Sequence, residues 1–227
     1  PAQPGDSPLK TVPKAPAPQV RVVFMGTPEF AARILSALVS EHYQIVGVVT
    51  QPDRPVGRKQ ELAESAVKKV ASGHGLPILQ PEKLDDDAYA TLQSWQPDLF
   101  IVAAYGKILK ERFLRLPGFG ALNIHTSLLP RWRGASPIQN ALLAGDQETG
   151  ITLMAMDKGM DTGDIIIQES LPIAEEDTLP VLEEKLSQLA TKLLLATLPL
   201  WIKKKIAPVA QDHSLATMCP LIERSDG

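Results

Sequence analysis

The stretch Val20-Arg21-Val22-Val23-Phe24-Met25-Gly26-Thr27-Pro28-Glu29-Phe30 decides the class of this chain. Its β-branched and aromatic side chains suit a buried strand, because such residues pack well on a pleated surface. Gly26 and Pro28 then turn the backbone, and from 29 to 38 the apolar residues recur at helical spacing. A second β-branched run, 45–49, follows a short connection. Strand, helix and strand in that order predict a βαβ unit with parallel pairing and a right-handed crossover. The expected class is therefore α/β: a Rossmann-like open, mostly parallel sheet with helices on both faces. A glycine after a first strand often serves phosphate binding at a helix N-terminus. Here Gly26 stands without a G-x-G-x-x-G pattern, so it reads as a tight turn over a crevice and not as a dinucleotide fingerprint.

Outward from this unit the pattern continues. Helices are expected at about 61–72, 85–95, 105–116, 137–144 and 179–202, and strands at 75–79, 98–104 and 121–125. A hairpin is expected from 151–156 and 165–169, joined by a turn-rich loop at 157–164 and preceded by a loop at 145–150. Beyond 205 the chain reads as irregular. Residues 1–20 carry six prolines among small and polar residues, which bury little, so they are expected to form a disordered leader.

Hydrophobic content of 44% with 22% charged residues is that of a globular chain able to bury a core. A formal net charge of −3 argues against a generally basic nucleic-acid coat while leaving room for a local basic patch. A single cysteine, Cys219, allows no internal disulfide and favours a reducing compartment. The four histidines lie far apart at 42, 74, 125 and 213, so no zinc-site spacing arises and no metal is expected. With no uninterrupted apolar run of membrane-spanning length and no signal pattern, no membrane partner is expected and a cytoplasmic location is the default.

The densest polar chemistry lies in Ala121-Leu122-Asn123-Ile124-His125-Thr126-Ser127-Leu128-Leu129-Pro130-Arg131-Trp132-Arg133-Gly134-Ala135-Ser136-Pro137. Strand alternation sends Leu122 and Ile124 to one face and Asn123 with His125 to the other. Ser127 lacks the G-x-S-x-G elbow, so an acyl-serine mechanism is unsupported. In a direct acyl transfer an amide can stabilise an oxyanion, an imidazole can assist or relay protons, and a carboxylate can orient the imidazole. Asn123 and His125 fit the first two roles; for the third, spacing alone does not choose among Asp157, Asp161 and Asp164. The bland reading is that Asn123 caps a turn and His125 is a satisfied core histidine. A second polar stretch, Gln51-Pro52-Asp53-Arg54-Pro55-Val56-Gly57-Arg58-Lys59, leaves the carboxyl end of the second strand, where ligands of open α/β sheets bind, and three cations there would suit a phosphate backbone.

Four segments in order carry a resemblance: Phe24-Met25-Gly26-Thr27-Pro28-Glu29-Phe30-Ala31, the run Thr50 to Arg58, Asn123-Ile124-His125-x-Ser127-Leu128-Leu129-Pro130-Arg131-Trp132-Arg133-Gly134-Ala135, and Asp161-Thr162-Gly163-Asp164. Together they resemble the methionyl-tRNA formyltransferase family over residues 21 to about 225. The resemblance implies the formyltransferase fold and transfer of a formyl group from 10-formyltetrahydrofolate, as co-substrate, to the α-amino group of initiator methionyl-tRNA. It implies Asn123, His125 and Asp161 as the catalytic trio, Asp161 because it holds the family's Asp-Thr-Gly position. It implies folate contacts from Ser127, Leu128, Leu129 and Pro130, with Tyr105 and Gly106 bordering the cleft, and tRNA contacts from Arg58, then Arg54 and Lys59. Trp132 and Arg133 either contact substrate or brace the loop.

By the same resemblance residues 21–205 form the catalytic domain and 206–227 begin a linker to a C-terminal domain whose absence is expected to weaken tRNA binding. Lys59-Gln60-Glu61 and Glu64-Ser65-Ala66 depart from the family's more basic run and its Ser-Pro, which would weaken or rearrange acceptor-stem contacts. A monomer is the favoured oligomeric state. The alternatives are a sugar-amine formyltransferase sharing Asn-x-His and Ser-Leu-Leu-Pro, against which the run Thr50 to Arg58 argues, and a non-catalytic folate-binding module.

Overall fold

The computed structural model describes residues 19–56 and 61–222. β1 (Arg21–Gly26) is buried from its second residue onward and leads into α1 (Glu29–Ser40), which buries Ala31, Ala32, Ile34, Leu35 and Leu38 as one stripe. Helix and strand meet closely at Gly26, where a Cβ would lie 2.6 Å from the Ala31 Cβ and 2.7 Å from the Ala103 carbonyl. Then come β2 (Gln44–Val49), β3 (Arg54–Val56), β4 (Glu61–Ala63), α2 (Ala66–Gly73), β5 (Ile78–Leu79), α3 (Asp86–Ser94), β6 (Leu99–Ala103) and α4 (Glu111–Leu114). The second half holds β7 (Ala121–His125), β8 (Arg133–Gly134), α5 (Pro137–Leu143), β9 (Glu148–Ala155), β10 (Ile165–Pro172), α6 (Leu179–Ile202) and β11 (Met218–Cys219).

The main sheet has seven strands in the order β10-β9-β7-β6-β1-β2-β5. Its five strands from β5 to β7 pair in parallel, while β9 runs antiparallel to β7 and β10 antiparallel to β9. The chain builds outward from β1 to β2 and β5, then returns through α3 to lay β6 on the other side of β1. Strand order thus reverses beside β1, which opens a crevice at the carboxyl ends of β1 and β6.

Two cores flank this sheet. One joins the face of β7 that carries Leu122 and Ile124 to α1, α2, α5 and the long α6, which contributes Leu182, Leu186, Ala190, Leu193, Leu194 and Leu198. The other joins Val23, Met25, Val49, Phe100 and Val102 to Ala88 and Leu92 of α3 and Phe113 of α4. Ala121 belongs to this second core, so strand alternation places Asn123 and His125 on the same side.

Several expectations need correction. The helix expected at 61–72 begins only at Ala66, because Arg54–Val56 and Glu61–Ala63 pair as an antiparallel ribbon and Ser65 caps the helix by accepting from the Lys68 amide. The helix expected over 105–116 is confined to Glu111–Leu114: Ala104 and Gly106 have φ of 46° and 80°, and the Lys107 amine is tied to the carbonyls of Pro81 and Glu82. β9 starts inside the expected 145–150 loop, since Glu148 pairs with Pro172 and the hairpin is longer than its apolar pattern. After 205 the chain is not irregular throughout: it bridges Ile165 at Val209, makes a 3-10 turn at His213–Leu215, and adds β11 in parallel to β8.

Candidate active site

Asn123 sits in the middle of the sheet, paired with Val102 of β6 and Met154 of β9, and His125 pairs with Thr152. On this side the helices α3 and α4 pack with β1, β2 and β6, whereas Asn123 and His125 are met by loops. His125 is buried at 6% exposure. Its Nε2 lies 2.8 Å from the Trp132 carbonyl. A carbonyl oxygen only accepts, so Nε2 carries the hydrogen and Nδ1 is the free nitrogen of the neutral ring. Nδ1 faces Asp161 Oδ2 at 3.7 Å, beyond hydrogen-bond range and within reach of an ion pair once the ring is protonated.

Asp161 arrives on the loop between β9 and β10. Its Oδ1 accepts from Asn123 Nδ2 at 3.3 Å and its Oδ2 from the Gly134 amide at 2.9 Å. The other two aspartates of this loop are placed differently. Asp157 accepts from the Gly159 amide and the Thr162 hydroxyl, closing its own turn, and Asp164 is exposed. Asp161 is therefore the loop carboxylate that meets the strand residues. It has a left-handed backbone with φ of 52°, as does Trp132 with φ of 62°. Such conformations are unfavourable for residues with a Cβ and persist where surrounding contacts fix them. Gly163 permits the loop's return, since a Cβ there would fall 1.8 Å from the Ala155 carbonyl.

The loop leaving β7 is wired internally. The Ser127 hydroxyl donates to the Arg131 carbonyl at 2.6 Å, and the Ser127 carbonyl accepts from the Thr152 hydroxyl at 2.6 Å. The Leu129 amide donates to Thr152 Oγ1, and the Leu129 carbonyl accepts from Gln168 Nε2. Leu129–Pro130 is a cis peptide. Ser127 and Leu129 are buried and turn inward, while Leu128 and Pro130 are half-buried.

Arg131, Trp132 and Arg133 diverge. Arg131 stacks on the Trp132 ring at 4.3 Å and grips Asp146 with two hydrogen bonds, and Trp132 Nε1 donates to the same carboxylate at 2.8 Å. The Arg131 guanidinium holds the Asp146 carboxyl below the usual carboxylate range, and the Trp132 hydrogen bond adds to that against the effect of burial. Arg133 instead points inward, is 6% exposed, and meets Gln211 and His213.

The other expected ligand residues are scattered. The Tyr105 ring lies in the second core, so the side chain is beneath the crevice and not on its border; its carbonyl accepts from Thr27 and Gln51. Burial pushes the Tyr105 phenol up to about 12, and its hydroxyl has no hydrogen-bond partner. Gly106 is exposed beside it. Arg54 is exposed and paired with Glu82 at 3.3 Å, while Arg58 and Lys59 lie outside the described residues. Sequence reasoning missed Thr152, Gln168, Asp146 and Gln211, which hold the site loops. Only the alternation of β9 hinted at Thr152, and nothing local marked Gln211.

Comparison with known proteins places this geometry in context. Residues 20–198 match the family model described as formyl transferase. The methionyl-tRNA formyltransferase of Anaeromyxobacter dehalogenans is 47% identical over 209 residues, covering 92% of this chain and 67% of that protein. The methionyl-tRNA formyltransferase of Staphylococcus epidermidis is 46% identical over 91% of this chain and 66% of its own length. The chain thus spans about two thirds of the length of these curated relatives. Among solved structures, the phosphoribosylglycinamide formyltransferase of Bacillus halodurans superposes with a TM-score of 0.68 at 27% identity, covering 82% of this chain and 96% of that one.

Proposed function

The chain belongs to the formyl transferase family and groups within it with methionyl-tRNA formyltransferases, and on that premise we propose that it moves a formyl group from 10-formyltetrahydrofolate to the α-amino group of initiator methionyl-tRNA. One observation carries the reading. Asn123, His125 and Asp161 converge where the nearby nucleophilic side chains are buried and engaged: the Ser127 hydroxyl donates to the Arg131 carbonyl, and the Cys219 thiol, which burial holds in its protonated form by raising its pKa, donates to the Trp132 carbonyl. A site of this kind suits attack by a group the substrate brings. A free α-amino group titrates at about 7.7–8.0, so a useful neutral fraction exists near pH 7 without a strong base.

In the proposed reaction the amine nitrogen bonds to the formyl carbon while the carbonyl oxygen gains negative charge. Asn123 directs one amide hydrogen to Asp161 and keeps its second for that oxyanion. His125, protonated at Nδ1 beside Asp161, adds positive charge. Collapse of the intermediate breaks the bond to the folate nitrogen, which leaves with the proton lost by the amine. The folate is a substrate here. Leu128, Pro130 and Gly106 are assigned to contact it, being half-buried or exposed, while Ser127 and Leu129 shape the first loop and the buried Tyr105 supports the second. Arg54, with Arg58 and Lys59, is assigned to phosphates of the tRNA acceptor stem.

The test is formylation of charged initiator tRNA by the protein with 10-formyltetrahydrofolate, run beside a nucleotide-linked amino sugar as acceptor. Transfer to the tRNA is expected, and Asn123→Ala should lower kcat by roughly a hundredfold to a thousandfold, as loss of one oxyanion donor does. Transfer to the sugar alone would overturn the assignment.

A further inference from the structure

Resting on that reading, we propose that Gln211 is a positioning residue for Asp161, and that residues 206–222 are a strap on which the reactive geometry depends. Gln211 is 5% exposed and lies 50 residues along the chain from Asp161. Its side-chain amide uses every hydrogen-bonding position it has. Nε2 donates to the Asp161 carbonyl at 2.9 Å and to the Gly163 carbonyl at 2.7 Å. Oε1 accepts from Arg133 Nε at 3.1 Å and Arg133 Nη2 at 2.6 Å.

This arrangement sets one rigid amide across the two ends of the turn that carries the carboxylate. The clamp fixes a turn in which Asp161 holds a left-handed backbone, a region that aspartate tolerates but populates less than the right-handed and extended ones. Arg133 makes the clamp stronger. Its guanidinium is buried, and among the described residues no carboxylate lies within ion-pair distance of it. The cation therefore pulls on the oxygen of the Gln211 amide and polarises its N–H groups toward the two carbonyls.

The strap reaches the same carboxylate by a second route. Gly134, next to Arg133, donates its amide to Asp161 Oδ2 and pairs in β8 with Cys219 of β11. Its φ of 120° brings it so close that a Cβ would sit 2.4 Å from the Cys219 carbonyl. The Thr217 hydroxyl accepts from the amide of Trp132, whose carbonyl in turn holds His125. Backbone of the Asp161 turn, side chain of Asp161 and the imidazole opposite are all referred to one segment. A misplacement of about 1 Å in such a constellation can cost on the order of a hundredfold in rate.

The experiment compares wild type, Gln211→Met and Gln211→Glu. The first removes both donors at similar volume; the second still accepts from Arg133 but sets a carboxylate against the two carbonyls. Both variants are expected to lower kcat for formyl transfer about tenfold to a hundredfold, with KM for tRNA and for folate within threefold of wild type. A crystal structure of Gln211→Met is expected to show the Asp161 carboxylate displaced from Asn123 and His125. A kcat within threefold of wild type in either variant, or an unmoved Asp161, would overturn the role of Gln211. Failure of the wild type to formylate tRNA would instead overturn the assigned activity, and displacement of Asp161 in the variant would still support the clamp.

Discussion

At the scale of single residues, hydrogen-bond direction settles more than proximity does. His125 gives Nε2–H to the Trp132 carbonyl, so only Nδ1 can exchange a proton with the site. The ring is one-ended: it can hold charge beside Asp161 but cannot pass a proton through to its far side while that bond stands. Asp146 shows how such contacts tie stability to pH. Its folded carboxyl is held low, first by the Arg131 hydrogen bond. A depressed carboxylate contributes stability above the unfolded value of about 3.9, and that contribution disappears as pH falls through the lower folded value. Asp146→Asn should therefore cost about 1 kcal/mol at pH 7, a modest figure because Arg131 is half exposed. Thermal melts of the two proteins should converge on acidification into that range; a constant gap would contradict the assignment. The alternation of Asn123 and His125 was legible in the sequence because side-chain direction in a strand has a strict period of two. Tyr105 was not, since its ring belongs to a core built from β1, β2, α3 and α4.

At the scale of elements, the expectations that held rest on apolar patterns, and those that failed turn on hydrogen-bonding partners, near or distant in sequence, that such patterns do not display. The α6 boundaries were legible from a Leu-rich run over 179–202, and β1 and β2 from their branched residues. The start of α2 depends on a cap read only with its neighbours. Ser65 Oγ accepts from the Lys68 amide at 3.0 Å and also meets the buried Thr50 hydroxyl at 2.7 Å. Ser65→Ala should cost roughly 1–2 kcal/mol, the upper part of the range for a lost N-cap, because it also strips Thr50 of a partner. The midpoint of a urea transition checks this, and an unchanged midpoint would remove the cap from the account. The strand pair β8 and β11 was invisible to local reading: two residues each, with no periodicity, and separated by most of the second half of the chain.

At the scale of the whole molecule, one sheet serves two ends. Its parallel half, β5 to β6, is covered on both faces by helices. Its other half, β7 to β10, leaves Asn123 and His125 to be covered by loops and by the strap. Sequence separation does not divide the two, since Val22 of β1 pairs with Leu99 of β6 about as far along the chain as Arg133 from Gln211. The extent of pairing does: β1 and β6 share five residue pairs, whereas β8 and β11 share two. A long segment rewarded by few contacts docks late, since loop entropy is lost before contacts form. The strap thus has a temporal consequence as well as a geometric one. During refolding from denaturant the sheet and its helices should assemble first and the working arrangement of Asp161 last. Circular dichroism is then expected to recover before formyl transfer does, with the delay set by docking of residues 206–222; simultaneous recovery would show that the strap docks with the sheet. An apparently native spectrum would, for that interval, belong to an inert protein.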